Sequence, residues 1–136
     1  MVLKTRDKLI EVARQLFAQK GEENTTMNDI AVASEKGRRT VYTYFKNKKE
    51  ILNAVVKAES DKIVEKLIDI PRQPLPPEQK LINFIFIRFE IIKELVYRNG
   101  SLRAGFFRDI RKVDRARRAT ISKEATILKQ ILSEGV

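Results

Sequence analysis

The chain has 136 residues, 43% of them hydrophobic, enough for one compact domain or two small ones sharing a core. It carries 28 Lys and Arg against 18 Asp and Glu, a formal charge of +10 that points to a polyanionic partner: nucleic acid or, less often, an anionic membrane surface. With no cysteine and no histidine, a disulfide framework and a thiolate metal site are excluded, and the commonest metal ligand and general base are missing.

The opening Met-Val-Leu-Lys-Thr-Arg does not lead into a long apolar run, so no signal peptide or membrane span is read and a cytoplasmic protein is expected. No strand alternation or internal repeat is found. The first helix runs from about Thr5 to Lys20, with Leu9, Ile10, Ala13, Leu16 and Phe17 on one apolar face. Thr5 suits an N-cap, and Gly21 follows the last turn. In "TMND", Thr26 and Asp29 form a capping-box pattern that opens a second helix, carrying Ile30, Ala31 and Ala33 and ending near Ser34. After "SEKG" a third helix spans roughly Arg38 to Phe45, with Val41 and Phe45 on one face. "NKKE" opens a fourth, capped by Asn47 and continued by Ile51, Leu52, Val55 and Val56 as far as about Asp69.

"PRQPLPP", residues 71–77, cannot continue a helix and is the clearest boundary in the chain. Beyond it, Leu81 to Val96 is apolar on nearly every side, a pattern expected of a central helix buried by its neighbours. Asn99-Gly100 ends it. Ser101 to about Ile110 reads as a short helix with Phe106 and Phe107. A last helix from about Val113 places Ile121, Ala125, Leu128, Ile131 and Leu132 on one face.

The fold expected is all-α. An N-terminal three-helix helix-turn-helix domain, residues 1–47, is joined by the long fourth helix to a helical bundle, residues 48–136. Two short helices with a tight connection and a basic second helix suggest a helix-turn-helix, whose second helix lies in the major groove. Helix starts carry partial positive charge, so Arg38, Arg39, Lys48 and Lys49 are poorly placed unless an anion completes each site. DNA would supply it. Arg38 or Arg39 suits guanine O6 and N7, the other a phosphate. Thr40 suits a phosphate or a thymine methyl, and Tyr42 and Thr43 the groove. Tyr44 and Lys48 suit phosphates that fix register. Thr25 and Thr26 offer hydroxyls at the start of the second helix. The bland alternative for these side chains is a solvated basic face with half-buried tyrosines.

Residues 5–56 resemble the DNA-binding domain of the tetracycline-repressor (TetR) family of bacterial transcription regulators. The resemblance rests on "LIEVARQLFAQKG", "TTMNDIA" and "TVYTYFKNKKEIL" in that order and spacing. The chain departs from the family where a Gly and an apolar residue are common in the turn, here Glu35 and Lys36, and where Ser or Thr often caps, here Gly37. The resemblance implies a homodimeric repressor that binds an inverted-repeat operator in double-stranded DNA. It also implies release by a small-molecule inducer, of unknown identity, held in the C-terminal bundle. Family members usually continue with two more long helices that form the dimer interface, so the bundle is expected to be incomplete at its C-terminus.

The aromatic set Phe84, Phe86, Phe89, Phe106 and Phe107 reads first as core. If the bundle holds a ligand pocket, Phe84, Phe89, Glu94, Phe106 and Phe107 are its candidates. Glu90 and Glu94 read as exposed, and "RDIRKVDRARR", residues 108–118, as a solvated basic face. No cofactor, metal site or catalytic group is expected, since no acid pair stands out in a chain without His or Cys. The alternative function is a non-specific or architectural nucleic-acid-binding helical protein. A cationic bundle acting at a membrane fits the proline break and central helix less well.

Overall fold

The computed structural model describes residues 4–100 and 110–135, and side chains of the last helix from 118 onward. Among the described residues all regular structure is helical: α1 (Thr5–Lys20), α2 (Met27–Ala33), α3 (Arg38–Tyr44), α4 (Lys48–Leu67), α5 (Pro77–Arg98) and α6 (Ile110–Glu134), with short 3-10 turns at Glu22–Asn24 and Ile70–Arg72. No described helix is long and apolar enough to cross a membrane.

The boundaries follow from local chemistry. Thr26 caps α2 with a complete box: its hydroxyl accepts from the Asp29 N–H at 3.0 Å, and the Asp29 carboxylate accepts from the Thr26 N–H at 2.9 Å. Asn47 Oδ1 caps α4 by accepting from the Glu50 N–H at 2.9 Å. Pro77 stands at the first position of α5, where its missing N–H has no helical partner to lose. Gly21 ends α1 at φ 85°, a conformation that a side chain disfavours. Thr5 is the first helical residue rather than the cap, a role taken by Lys4 without a side-chain bond. α4 stops at Leu67, shortly before Pro71, rather than at Asp69. α6 begins at Ile110, earlier than Val113. The helix expected over Ser101–Ile110, with Phe106 and Phe107, lies outside the described residues.

Among the described residues two separate apolar cores form. The head core joins Leu9, Ile10, Ala13 and Phe17 of α1 to Ile30 and Ala31 of α2, Val41 and Phe45 at α3, and Ile51, Leu52, Val55 and Val56 of α4. The body core joins Leu67 and Ile70 to Phe84 of α5 and Ile127 and Ile131 of α6. Along its edge Lys80, almost wholly buried, donates to the Pro71 carbonyl at 2.6 Å and to the Glu134 carboxylate at 2.7 Å. Arg88 of α5 pairs likewise with Glu124 of α6. The first half of α4 belongs to the head core and its end to the body core, so the two parts share one helix.

The expectation that the helix after the prolines is buried all round is corrected. α5 buries Phe84 and Ile91, while Ile82, Ile85, Phe86 and Phe89 are 59%, 60%, 64% and 67% exposed. Among the described elements α4 and α6 are its main helical neighbours. With apolar residues on every face, those turned away from these neighbours stay exposed among the described residues.

Candidate nucleic-acid interface

α3 is held by its buried Val41, with Phe45 buried just past its end. That fixes the opposite side outward. Arg38, Arg39, Tyr42, Thr43 and Tyr44 are all exposed, and Thr40 is half-buried at the edge. Among the described residues neither Arg38 nor Arg39 has an ion-pair partner within 4.0 Å. α3 itself contains no acidic residue. Two unneutralised guanidinium groups on its first turn oppose the helix dipole, and an approaching anion relieves both charges. The Thr43 hydroxyl donates to the Arg39 carbonyl at 2.9 Å, back along its own helix.

The remaining sequence-predicted residues fall into two groups. Thr26 is exposed but occupied as a cap. Asp29, its partner, has its carboxyl held below the usual carboxylate range by the Thr26 N–H first and then by Lys20, whose ammonium lies 2.9 Å away. Lys48 is half-buried and donates to the Glu22 carbonyl at 2.8 Å, tying the start of α4 to the turn after α1 and keeping two further N–H donors. Thr25, by contrast, is fully buried and its hydroxyl donates to the Gly21 carbonyl at 2.8 Å. The structure thus brings Arg38, Arg39, Thr40, Tyr42, Thr43 and Tyr44 together on α3, with Lys48 beside it, and sets Thr25 in the interior.

One neighbour was not anticipated. The Arg6 guanidinium lies over the Phe45 ring at 5.3 Å, so the basic start of α1 stands beside the end of α3. The alternation Lys4, Arg6, Lys8 across the start of α1 is the signal for it, legible only once the start of α1 and the end of α3 are known to meet.

The turn before α3 is locally strained. Glu35 has φ 56°, left-handed backbone where the residue type gives no steric relief. The hydroxyl of Ser34 is fully buried and has no hydrogen-bond partner. Gly37 caps α3 without a side-chain bond.

In the body, an open groove of about 450 Å³ runs along α5, lined by Lys66, Phe86, Ile87, Glu90, Ile91, Lys93, Glu94 and Tyr97. It includes Glu94 but neither Phe84, which is buried in the body core, nor Phe89, which is exposed on α5. Phe106 and Phe107 lie outside the described residues. Glu90 and Glu94 are exposed. Among the described residues no cluster of three metal-ligating side chains occurs.

Residues 9–55 match the family described as bacterial regulatory proteins, tetR family. Over 51 residues the chain is 49% identical to the probable acrEF/envCD operon repressor of Escherichia coli (strain K12), covering 38% of this chain and 23% of that protein. It is 32% identical over 89 residues to the uncharacterised HTH-type transcriptional regulator YhgD of Bacillus subtilis (strain 168), covering 65% of this chain and 47% of that one. The chain thus spans less than half the length of these two relatives. Among solved structures, a transcriptional regulator of the TetR/AcrR family from Thermobifida fusca aligns with TM-score 0.78 at 25% identity, over 96% of this chain and 69% of that one. The TetR family regulator PfmR from Thermus thermophilus aligns with TM-score 0.71 at 27% identity, over 99% and 72%.

Proposed function

This chain belongs to the TetR family of bacterial regulatory proteins, and on that premise we propose that it is a sequence-specific, DNA-binding transcription regulator. It binds an inverted-repeat operator as a homodimer, acts as a repressor, and is released by a small ligand in the body. It works in the cytoplasm and catalyses no reaction. The observation that carries this reading is the exposed, unneutralised face of α3, held outward by the buried Val41 and Phe45.

The roles follow from placement. Arg38 and Arg39 stand on the first turn of α3, the part of a reading helix that meets base edges. A bidentate guanidinium on guanine contributes about 1–3 kcal/mol of discrimination. Tyr42 and Thr43, one turn on, reach the same groove. Tyr44, Thr26 and Lys48 flank it and suit phosphates, which position without specifying sequence. Thr25 takes a structural part, closing the turn between α1 and α2.

Selection of bound duplexes from a randomised pool tests the proposal. Enrichment of an inverted repeat with half-sites about one helical turn apart, or a multiple of it, supports a two-fold regulator. Tight, salt-sensitive binding without any enriched sequence replaces it with the non-specific alternative.

A further inference from the structure

Among the described residues the head and body cores do not merge. Between Val56 and Leu67 the one buried residue of α4 is Glu59, an acid. On α4 the seam between the two parts is therefore polar, and the end of α5 meets it there.

Asn99, 3% exposed, is bonded in three directions there. Its amide donates to Glu59 Oε1 of α4 at 2.9 Å and to the Leu95 carbonyl of its own helix at 2.8 Å, while its Oδ1 accepts from Arg14 of α1 at 3.4 Å. Arg14 also donates to the Arg98 carbonyl at 3.3 Å, a cation on the negative end of α5. Glu59 is paired with Lys62 at 2.8 Å and with Arg98 at 2.9 Å. Gly100 follows so closely on α1 that a Cβ there would lie 2.8 Å from the Ala18 carbonyl oxygen.

An apolar seam tolerates sliding, because burial is non-directional. A buried hydrogen-bonded seam does not, because each bond weakens steeply as its angle and length change. Buried ion networks add little net stability compared with apolar packing. Their distinctive effect is to select one arrangement.

We propose that Arg14, Glu59 and Asn99 are positioning residues: they form a polar joint that fixes the reading helix α3 relative to the body, and so sets the half-site spacing that a pair of protomers accepts. This rests on the reading of the chain as a dimeric regulator. The joint itself is a property of one protomer.

The test compares the full chain with Asn99→Ala and with the isosteric Glu59→Gln, each checked for Tm, on a single half-site duplex and on inverted repeats with a graded spacer. Half-site affinity is expected to stay within about twofold, while a wild-type preference of about tenfold or more for one spacer falls to about threefold or less. A second readout needs no DNA. The chain has no cysteine, so spin labels at Val32→Cys and Glu78→Cys are unique, and their distance distribution should broaden in both variants. Unchanged spacer preference with unchanged label distances overturns the joint. So does an equal fall on half-site and full site, which marks a merely structural role. If the wild type shows no inverted-repeat preference at all, the dimeric regulator is what fails, and the label distances alone decide the joint. Should Asn99→Ala fail to fold, Glu59→Gln carries the same outcomes.

Discussion

In the head, Leu9, Phe17, Ile30, Val41 and Ile51 have no exposed surface, and every short helix is pinned by at least one of them or by Phe45. In the body, α5 is as apolar as any segment of the chain, yet Ile82, Ile85, Phe86 and Phe89 are more than half exposed. The contrast separates having apolar residues from having something to bury them against. A helix seven residues long, as α3 is, lies well below the length at which helices persist alone. Its order comes from the head core. The α5 face carries more apolar surface and does less for stability.

That contrast can be broken most directly by truncating one phenylalanine on each side of it. Phe17→Ala removes a fully buried ring and should lower stability by about 3–5 kcal/mol in denaturant unfolding, whereas Phe89→Ala should stay within about 0.5 kcal/mol. Comparable losses at both sites would mean that the α5 face is covered in solution. Next in size is the reading face. Arg39→Ala should weaken operator binding by about 1–3 kcal/mol and relax preference at one position of the site, measured on a panel of single-base operator variants. Lys48→Ala should weaken all sequences alike and make the salt dependence shallower by about one in slope. An Arg39 variant with unchanged preference at every position is not missing a base reader.

Smaller effects sharpen the picture of the head by probing its one poorly made turn. Ser34→Ala removes a buried, unpartnered hydroxyl, and Glu35→Gly places at φ 56° the residue that suits it. Each should raise stability by about 0.5–1 kcal/mol in thermal or denaturant unfolding. Smallest is the pH dependence at the seam. Burial pushes the Glu11 carboxyl up, but the hydrogen bond and charge of Arg14, with the charge of Arg98, outweigh it and leave its pKa below the usual value. A depressed carboxylate stabilises the fold above its unfolded pKa and loses that contribution as pH falls through the folded one. The stability gap between wild type and Glu11→Gln should therefore be constant above about pH 5, the range in which the unfolded carboxyl is already ionised, and narrow as pH falls from there through the lowered folded pKa. A gap that persists in acid would locate the effect in packing. Glu11 is partly exposed, so solvent screening keeps the effect small.

Many of the element boundaries were legible because their signals are local. Thr26 with Asp29, Asn47 with Glu50, and the prolines at 71–77 each fix a boundary within a few residues of themselves. The outward face of α3 follows from Val41 and Phe45 four apart. Thr25 was not legible: a hydroxyl looks the same in sequence whether it meets a phosphate or the carbonyl of Gly21. Nor was the buried side of α5, since a helix apolar all round has no pattern pointing to its partner. The seam was hidden for a third reason. Arg14, Glu59 and Asn99 are ordinary surface residue types, far apart in sequence, and only the packing of three helices makes them one group.

α4 is one unbroken helix of 20 residues, rooted in the head at one end and in the body at the other. At about 1.5 Å per residue it is a rod roughly 30 Å long. Tilting such a rod by about 5° moves its far end by about 2.6 Å, most of the roughly 3.4 Å between successive base pairs. The register of Arg38 and Arg39 on a duplex is therefore a matter of leverage: a tilt of a few degrees carries each side chain across most of a base-pair step.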